Sequence, residues 1–158
     1  MKCILIIFCI FFVSIFFADS SLVYIGEGIN NIRAKKPGVA GEFKIEYKPD
    51  YNIWKLNQLF GIAVTTNKQF YIFSGFIKDF IFNKIILAPS IVAGYYDKGK
   101  GRNLGFPLEF RSALEMSYLL KSSSRIGFQI SHTSNASLSK KNPGLETLSF
   151  FFALPISN

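Results

Sequence analysis

The chain is almost without the residues that cross-link or metallate small exported proteins. Its two cysteines, Cys3 and Cys9, both lie near the start, and everything after them is free of cysteine. It has one histidine, His132, and one tryptophan. The long cysteine-free part therefore cannot hold a disulfide framework or a finger-type zinc site, both of which need several correctly spaced cysteines.

Signatures of nucleic-acid binding are also missing. The formal net charge is +8, but 49% of the residues are apolar and 16% are aromatic. No glycine-rich phosphate loop and no aromatic RNA-binding motif accompanies the basic charge. We therefore predict no nucleic-acid partner. The length of 158 residues allows one domain of ordinary size.

The first twenty residues have the pattern of an export signal. Met1 and Lys2 precede an apolar run, CILIIFCIFFVSIFFA, which small and polar residues follow. A basic start, a short apolar stretch and small residues at its end are typical of a secretory signal peptide. Ala18 and Ser20 fit the −3 and −1 positions of a cleavage site. We therefore expect a signal peptide over 1–20 and a mature domain over 21–158.

Beyond the predicted signal, no run is long and apolar enough for a transmembrane helix, and the apolar residues alternate with polar ones. One face of the segment GEFKIEYK carries Phe43, Ile45 and Tyr47, and the other carries Glu42, Lys44, Glu46 and Lys48. The segment LEFRSALEMSY likewise sets its apolar side chains against Glu109, Arg111 and Glu115. Wide apolar faces opposite charges that can pair are typical of a transmembrane β-barrel.

About eight such segments fit the chain, which suits an all-β, eight-stranded antiparallel transmembrane barrel. The predicted strands are 22–29, 38–48, 53–66, 69–78, 84–96, 104–119, 125–135 and 145–155. A barrel of this size is filled by side chains and leaves no wide pore. No linker, repeat or low-complexity tract indicates a second domain.

Polar residues interrupt two apolar stripes where the last two strands meet. In RIGFQISHTS, the parity that puts Phe128 and Ile130 toward lipid also puts His132 and Ser134 on the outer face. In the next strand, Glu146 shares its face with apolar neighbours. All three polar side chains are therefore expected outside the barrel, at the same rim.

Together these three residues could form a nucleophilic centre. A serine hydroxyl becomes a nucleophile when an imidazole accepts its proton, and a carboxylate fixes the tautomer of that imidazole. On one strand face His132 can reach Ser134, and the paired strand supplies Glu146. Asn135 and Asn142 flank the site as oxyanion donors or positioning groups. The alternative is that these polar residues only mark the membrane–water boundary.

Basic residues concentrate in the connections at the same rim, if both termini lie in the periplasm. Against the single acid Asp97, these connections hold Arg33, Lys35, Lys36, Lys68, Lys98, Lys100, Arg102, Lys140 and Lys141. Lys140 and Lys141 are the candidates for binding a substrate phosphate. Alternatively, these charges only hydrate exposed loops. At the opposite end we expect no such basic excess.

The segments SHTSN and NPGLE, followed by an apolar terminal strand, resemble the PagL-type lipid A 3-O-deacylases. The resemblance implies an eight-stranded outer-membrane barrel that acts as a serine esterase without a metal or other cofactor. Its substrate would be the ester at position 3 of lipid A, within lipopolysaccharide. The family's His-x-Ser pair falls on His132 and Ser134, its acid on Glu146, and its active-site asparagines on Asn135 and Asn142.

Two other functions remain open at this point. One is a non-enzymatic outer-membrane barrel that serves adhesion or envelope integrity. The other is a barrel phospholipase, a class that uses serine and histidine but depends on calcium and dimer formation. No cluster of acidic residues near the predicted site suggests a calcium-binding position. The sequence leaves open whether the barrel forms a homodimer.

Overall fold

The computed structural model describes residues 21–34 and 38–156, so the predicted signal peptide lies outside the described residues. These residues form ten strands. They are β1 (Ser21–Asn30), β2 (Ala40–Lys48), β3 (Asn52–Ile53), β4 (Leu56–Thr65), β5 (Phe70–Ile77), β6 (Phe80–Phe82), β7 (Ile85–Asp97), β8 (Leu108–Leu119), β9 (Arg125–Ser134) and β10 (Leu145–Ile156). The part of the chain that the structure describes has no helix of the length and apolarity needed to cross a membrane.

The eight longer strands close into an antiparallel β-barrel. Each long strand pairs with its neighbour along the chain, and β1 also pairs with β10 to close the ring. The short strands β3 and β6 extend two of the hairpins, pairing with β4 and β7. The predicted fold class, an eight-stranded antiparallel barrel, is confirmed.

Two predicted strands have different bounds in the structure. The predicted strand 53–66 is interrupted at Trp54 and Lys55, whose φ angles of 53° and 66° form a tight turn between β3 and β4. Trp54 is therefore 91% exposed at a turn and does not face lipid from a strand. The predicted strand 104–119 begins only at Leu108, because Pro107 has no N–H to donate to a ladder.

The predicted alternation of outward apolar and inward polar residues is confirmed in β9 and β10. In β9, Phe128 and Ile130 are exposed on the outer face, whereas Gln129, Ser131 and Thr133 are buried inside. The same parity runs through β10 up to the start of the strand. The outer face is thus an apolar surface that suits the hydrocarbon region of a membrane.

The charges of the barrel interior pair with one another, as the sequence indicated. Glu46 is fully buried and lies between Lys44 Nζ, at 3.5 Å, and the Arg111 guanidinium, at 2.5 Å. Gln129 joins this cluster because its Oε1 accepts a hydrogen bond from Lys44 Nζ, and its Nε2 donates to Glu115 Oε1 over 2.9 Å. Such pairing is needed because an isolated charge inside a protein is costly.

The barrel has a loop end and a terminal end. The loop end holds the β1–β2, β4–β5, β7–β8 and β9–β10 connections, and the terminal end holds Ser21 and Ile156. The terminal end exposes Lys55, Lys84 and Lys121 together with the acid Asp50, a smaller basic set than the one predicted for the loop end. Of the basic residues predicted at the loop end, Lys35 and Lys36 lie outside the described residues.

A compensated ion-pair cluster also lies at the terminal end. Asp79 accepts Lys48 Nζ at 2.6 Å and Arg125 at 2.8 Å. Burial by itself would raise the pKa of the Asp79 carboxyl, but the two cations hold it below its usual value. This carboxylate is therefore a structural tie between strands and is remote from the loop end.

Candidate active site

The pairing of β9 with β10 brings His132 and Glu146 into contact. The two residues lie directly opposite each other in the register. His132 Nδ1 is 3.2 Å from Glu146 Oε1, and the side chains are 50% and 17% exposed. A carboxylate at Nδ1 orients the ring so that Nε2 is the nitrogen left to accept a proton. The predicted imidazole–carboxylate pair is thus present on the outer face.

Ser134 is placed beside this pair, but it is not joined to it by a hydrogen bond. It is the last residue of β9, it is half-buried, and it shares the outer face with His132 two residues earlier. Among residues 21–34 and 38–156, no hydrogen bond links Ser134 Oγ to the imidazole. Hydrogen bonds between catalytic groups often tighten only when substrate binds. The structure therefore places the three side chains near one another, but only His132 and Glu146 are in hydrogen-bonding contact.

A second hydroxyl flanks the imidazole from the other side. Ser112 of β8 lies directly opposite His132 in the β8–β9 register and is exposed on the same outer face. Directly opposed residues of neighbouring strands have Cβ atoms about 4.5–5.5 Å apart. Sequence reasoning missed this residue, because neither strand alone determines the register between the two.

The two asparagines occupy different positions in the β9–β10 loop. Asn135 is fully buried, and its Nδ2 donates to Leu104 O over 2.7 Å and to Lys141 O over 2.8 Å. Its backbone N–H donates to Asn142 Oδ1 over 3.1 Å. Because both N–H bonds of the Asn135 side chain are used, this residue suits the positioning role. Asn142 is exposed and could still donate through its own amide group.

The two lysines predicted to bind phosphate extend from the same loop. Lys140 and Lys141 are both exposed, and within the described ranges neither forms an ion pair. In the same ranges, no group of three or more His, Cys, Asp or Glu side chains is arranged to hold a metal ion.

Arg33 belongs to this site, although the sequence placed it only among the basic residues of the rim. One of its terminal nitrogens lies 3.2 Å from Glu146 Oε1. The segment just before Arg33 runs alongside the start of β10, since the Ile32 N–H donates to the Glu146 carbonyl over 3.1 Å. Glu146 is therefore shared between an imidazole and a guanidinium.

Gly144 supports the imidazole from the loop side. Its φ is +65°, a conformation that side-chain-bearing residues rarely adopt. A Cβ atom built on it would lie 2.7 Å from His132 Cε1 and 3.4 Å from His132 Nε2. The ring thus packs directly against the glycine backbone.

Comparisons with known proteins agree with this fold and with the predicted family. A family model described as lipid A 3-O-deacylase (PagL) matches residues 35–155. The crystal structure of the outer membrane enzyme PagL superposes with a TM-score of 0.64 and 19% identity, covering 85% of this chain and 99% of that one. A search of curated protein sequences finds no match.

Two further barrels are similar in fold alone. A de novo designed transmembrane β-barrel gives a TM-score of 0.60 at 9% identity, over 87% of this chain and 96% of the design. The Yersinia pestis outer membrane protein Ail gives 0.51 at 12% identity, over 87% of this chain and all of Ail. The matched family segment spans β2 to β10. The chain is therefore a member of the PagL family of lipid A 3-O-deacylases, ester hydrolases built on an outer-membrane β-barrel.

Proposed function

We propose that this barrel hydrolyses the 3-O-linked acyl ester of lipid A with Ser134 as nucleophile, His132 as general base and then acid, and Glu146 as the residue that orients the imidazole. The observation that carries the proposal is the contact between His132 Nδ1 and Glu146 Oε1 on the outer, lipid-facing surface. A polar pair on an otherwise apolar membrane face is energetically costly, so its presence there indicates a functional site.

The reaction follows from the orientation of the imidazole. Ser134 Oγ attacks the ester carbonyl carbon while His132 Nε2 takes the hydroxyl proton, and Glu146 stabilises the imidazolium that forms. The bond between the carbonyl carbon and the sugar oxygen then breaks, and His132 returns the proton to that oxygen. In the second half, water loses a proton to His132 and attacks the acyl-serine. The fatty acid leaves and the hydroxyl of Ser134 is restored.

Backbone pairing favours Ser134 over Ser112 as the nucleophile. Ser112 lies inside a ladder paired on both sides, with β7 and with β9, so the amides around it are already bonded. In contrast, the β9–β10 pairing stops at Thr133, directly before Ser134. Loop groups such as the exposed Asn142 amide are therefore available there to stabilise an oxyanion. Asn135 holds this loop through its buried bonds.

The surroundings of the pair suit an acylated, phosphorylated substrate. Below His132, the outer face of β9 and β10 continues as apolar cross-strand pairs, Ile130 with Leu148 and Phe128 with Phe150. An acyl chain whose ester lies at the rim can run along these side chains. Lys140 and Lys141, both exposed in the β9–β10 loop, supply positive charge that can pair with the phosphates of lipid A.

Mass spectrometry of lipid A tests the proposal. Cells that produce the protein should show loss of one hydroxyacyl group from lipid A. Ser134→Ala should reduce this cleavage by about 10³-fold or more, because the nucleophile is lost. Ser112→Ala is the matched control, a second outer-face serine beside His132, and it should retain cleavage.

Both variants should still migrate as folded, heat-modifiable barrels. Unchanged cleavage by Ser134→Ala would reject the triad. Release of fatty acid from phospholipid but not from lipid A would keep the hydrolase and change the substrate.

A further inference from the structure

Glu146 faces two competing positive partners. Its Oε1 lies 3.2 Å from His132 Nδ1 and 3.2 Å from the Arg33 guanidinium. Both contacts use the same oxygen. Because the carboxylate must stabilise an imidazolium during the reaction, a permanent second cation on that oxygen would weaken this effect. The arrangement therefore calls for a function of Arg33 beyond its pairing with Glu146.

Arg33 is held at this position by its neighbours. The Ile32 N–H donates to the Glu146 carbonyl, which ties the segment to the start of β10. Asn31 is buried, and its Oδ1 accepts a hydrogen bond of 3.1 Å from Arg102. The two residues before Arg33 are thus tied to β10 and to the β7–β8 loop. These bonds bring Arg33 next to the start of β10, where its side chain can reach Glu146.

The Arg33 side chain is nevertheless open to a ligand, since 78% of it is exposed at the loop end. A guanidinium carries five N–H donors in a planar fork, and it binds phosphate oxygens in pairs. The salt bridge to Glu146 engages one terminal nitrogen. The remaining donors are open to an anion that approaches from the water side of the rim, and paired hydrogen bonds to that anion would draw the guanidinium away from Glu146.

We propose that Arg33 is a specificity-determining residue that binds a phosphate group of the substrate and so selects phosphorylated glycolipids over neutral esters. This inference rests on the proposed function. When phosphate takes Arg33, Glu146 Oε1 is left to His132 alone. Binding of the substrate phosphate thus moves the Arg33 guanidinium away from Glu146. The carboxylate can then stabilise the His132 imidazolium fully, so the same phosphate strengthens substrate binding and speeds turnover.

Two substrates with the same scissile ester separate this role from a purely structural one: lipid A, and the same lipid A after removal of its phosphates, both in detergent micelles. For Arg33→Gln we expect kcat/KM on phosphorylated lipid A to fall about tenfold through loss of the charge-assisted bonds. On the dephosphorylated substrate, kcat should stay unchanged or rise by roughly two- to fivefold, because the variant lacks the cation that competes with His132 for Glu146 and an exposed pair contributes little.

Two further variants sharpen the test. Arg33→Lys keeps the charge without the planar fork, so its preference for the phosphorylated substrate should be intermediate. Lys100→Gln removes an exposed charge from the β7–β8 loop at the same end of the barrel, and it should change both activities by less than about twofold. All variants should migrate as heat-modifiable barrels.

Equal losses on both substrates in Arg33→Gln would mean that Arg33 only positions Glu146, and they would overturn the proposal. An unchanged substrate preference would overturn it as well. In both cases an active wild type whose cleavage depends on Ser134 leaves the triad intact. A wild type that cleaves neither substrate, or a fully active Ser134→Ala, would reject the triad and the role of Arg33 together.

Discussion

Glu46 and Glu146 are two carboxylates that each contact two basic groups, yet they lie on opposite sides of the same barrel wall. Glu46 is inside and fully buried with Lys44 and Arg111. Glu146 is outside, 17% exposed, and contacts the half-exposed His132. From this comparison we expect the inner pairing to stabilise the fold and the outer pairing to prepare the reaction.

The difference lies in the partners and in access. Lysine and arginine hold their protons at neutral pH, whereas an imidazole can give and take one. Within the part of the barrel that the structure describes, the cavity beside Arg111 has a volume of about 20 Å³, which is enough for roughly one water molecule and too small for a lipid. The outer pair faces the membrane itself. Of these two carboxylates, Glu146 is the one that we expect to take part in cleavage of a lipid ester.

The largest effect is expected from removing the interior charge. Glu46→Gln leaves Lys44 and Arg111 without their buried counter-charge, and it should lower the free energy of unfolding by about 3–5 kcal/mol. Urea unfolding in lipid vesicles measures this loss, with the exposed turn variant Asp50→Asn as a control that should change by less than about 0.5 kcal/mol. Activity per folded barrel should stay within twofold. Lost activity without lost stability would show that the interior charge takes part in the reaction.

The opposite outcome is expected for the outer carboxylate. Glu146→Gln should lower turnover by about 10²-fold or more, because an amide cannot stabilise the imidazolium and can hold the wrong tautomer. The free energy of unfolding should change little, since the pair is partly solvated. Single-turnover rates with lipid A, compared with urea unfolding of the same sample, separate the two quantities. Full activity of this variant would exclude Glu146 as the orienting residue.

A smaller effect is expected at the contact behind the imidazole. Gly144→Ala would place a methyl group 2.7 Å from His132 Cε1 and would force alanine into a φ of +65°. The ring must shift, so we expect kcat to fall roughly tenfold with little change in KM. Gly41→Ala is the control, since its Cβ meets only Thr66, at 3.3 Å. If both variants turn over substrate like the wild type, the packing of Gly144 does not position the ring.

Local alternation was enough to find the outward-facing residues. The pleat has a period of two, so the apolar Phe128 and Ile130 fix the direction of His132 and Ser134 within one short segment. The same logic in β10 fixes Glu146. Pairing of the interior charges followed equally from which face they occupy. These features depend only on neighbours along the chain.

Features that depend on distant parts of the chain were not visible in the sequence. Ser112 comes beside His132 through the register of β8 with β9, and Arg33 reaches Glu146 because a loop docks against β10. The packing of Gly144 against the imidazole depends on the loop's path in the same way. Even Trp54, assigned to a strand by its apolar neighbours, lies at a turn set by two left-handed residues. Register and loop paths are long-range properties that alternation does not encode.

Covalent labelling of the folded barrel in micelles identifies the nucleophile itself. An acyl-chain-bearing fluorophosphonate should react with the wild-type protein at Ser134, as located by peptide mass spectrometry. Labelling should be lost in His132→Ala, because the hydroxyl then lacks its proton acceptor. It should persist in Ser112→Ala. A label on Ser112, or equal labelling of Ser134 with and without the imidazole, would contradict the assignment of Ser134 and His132 as the reacting pair.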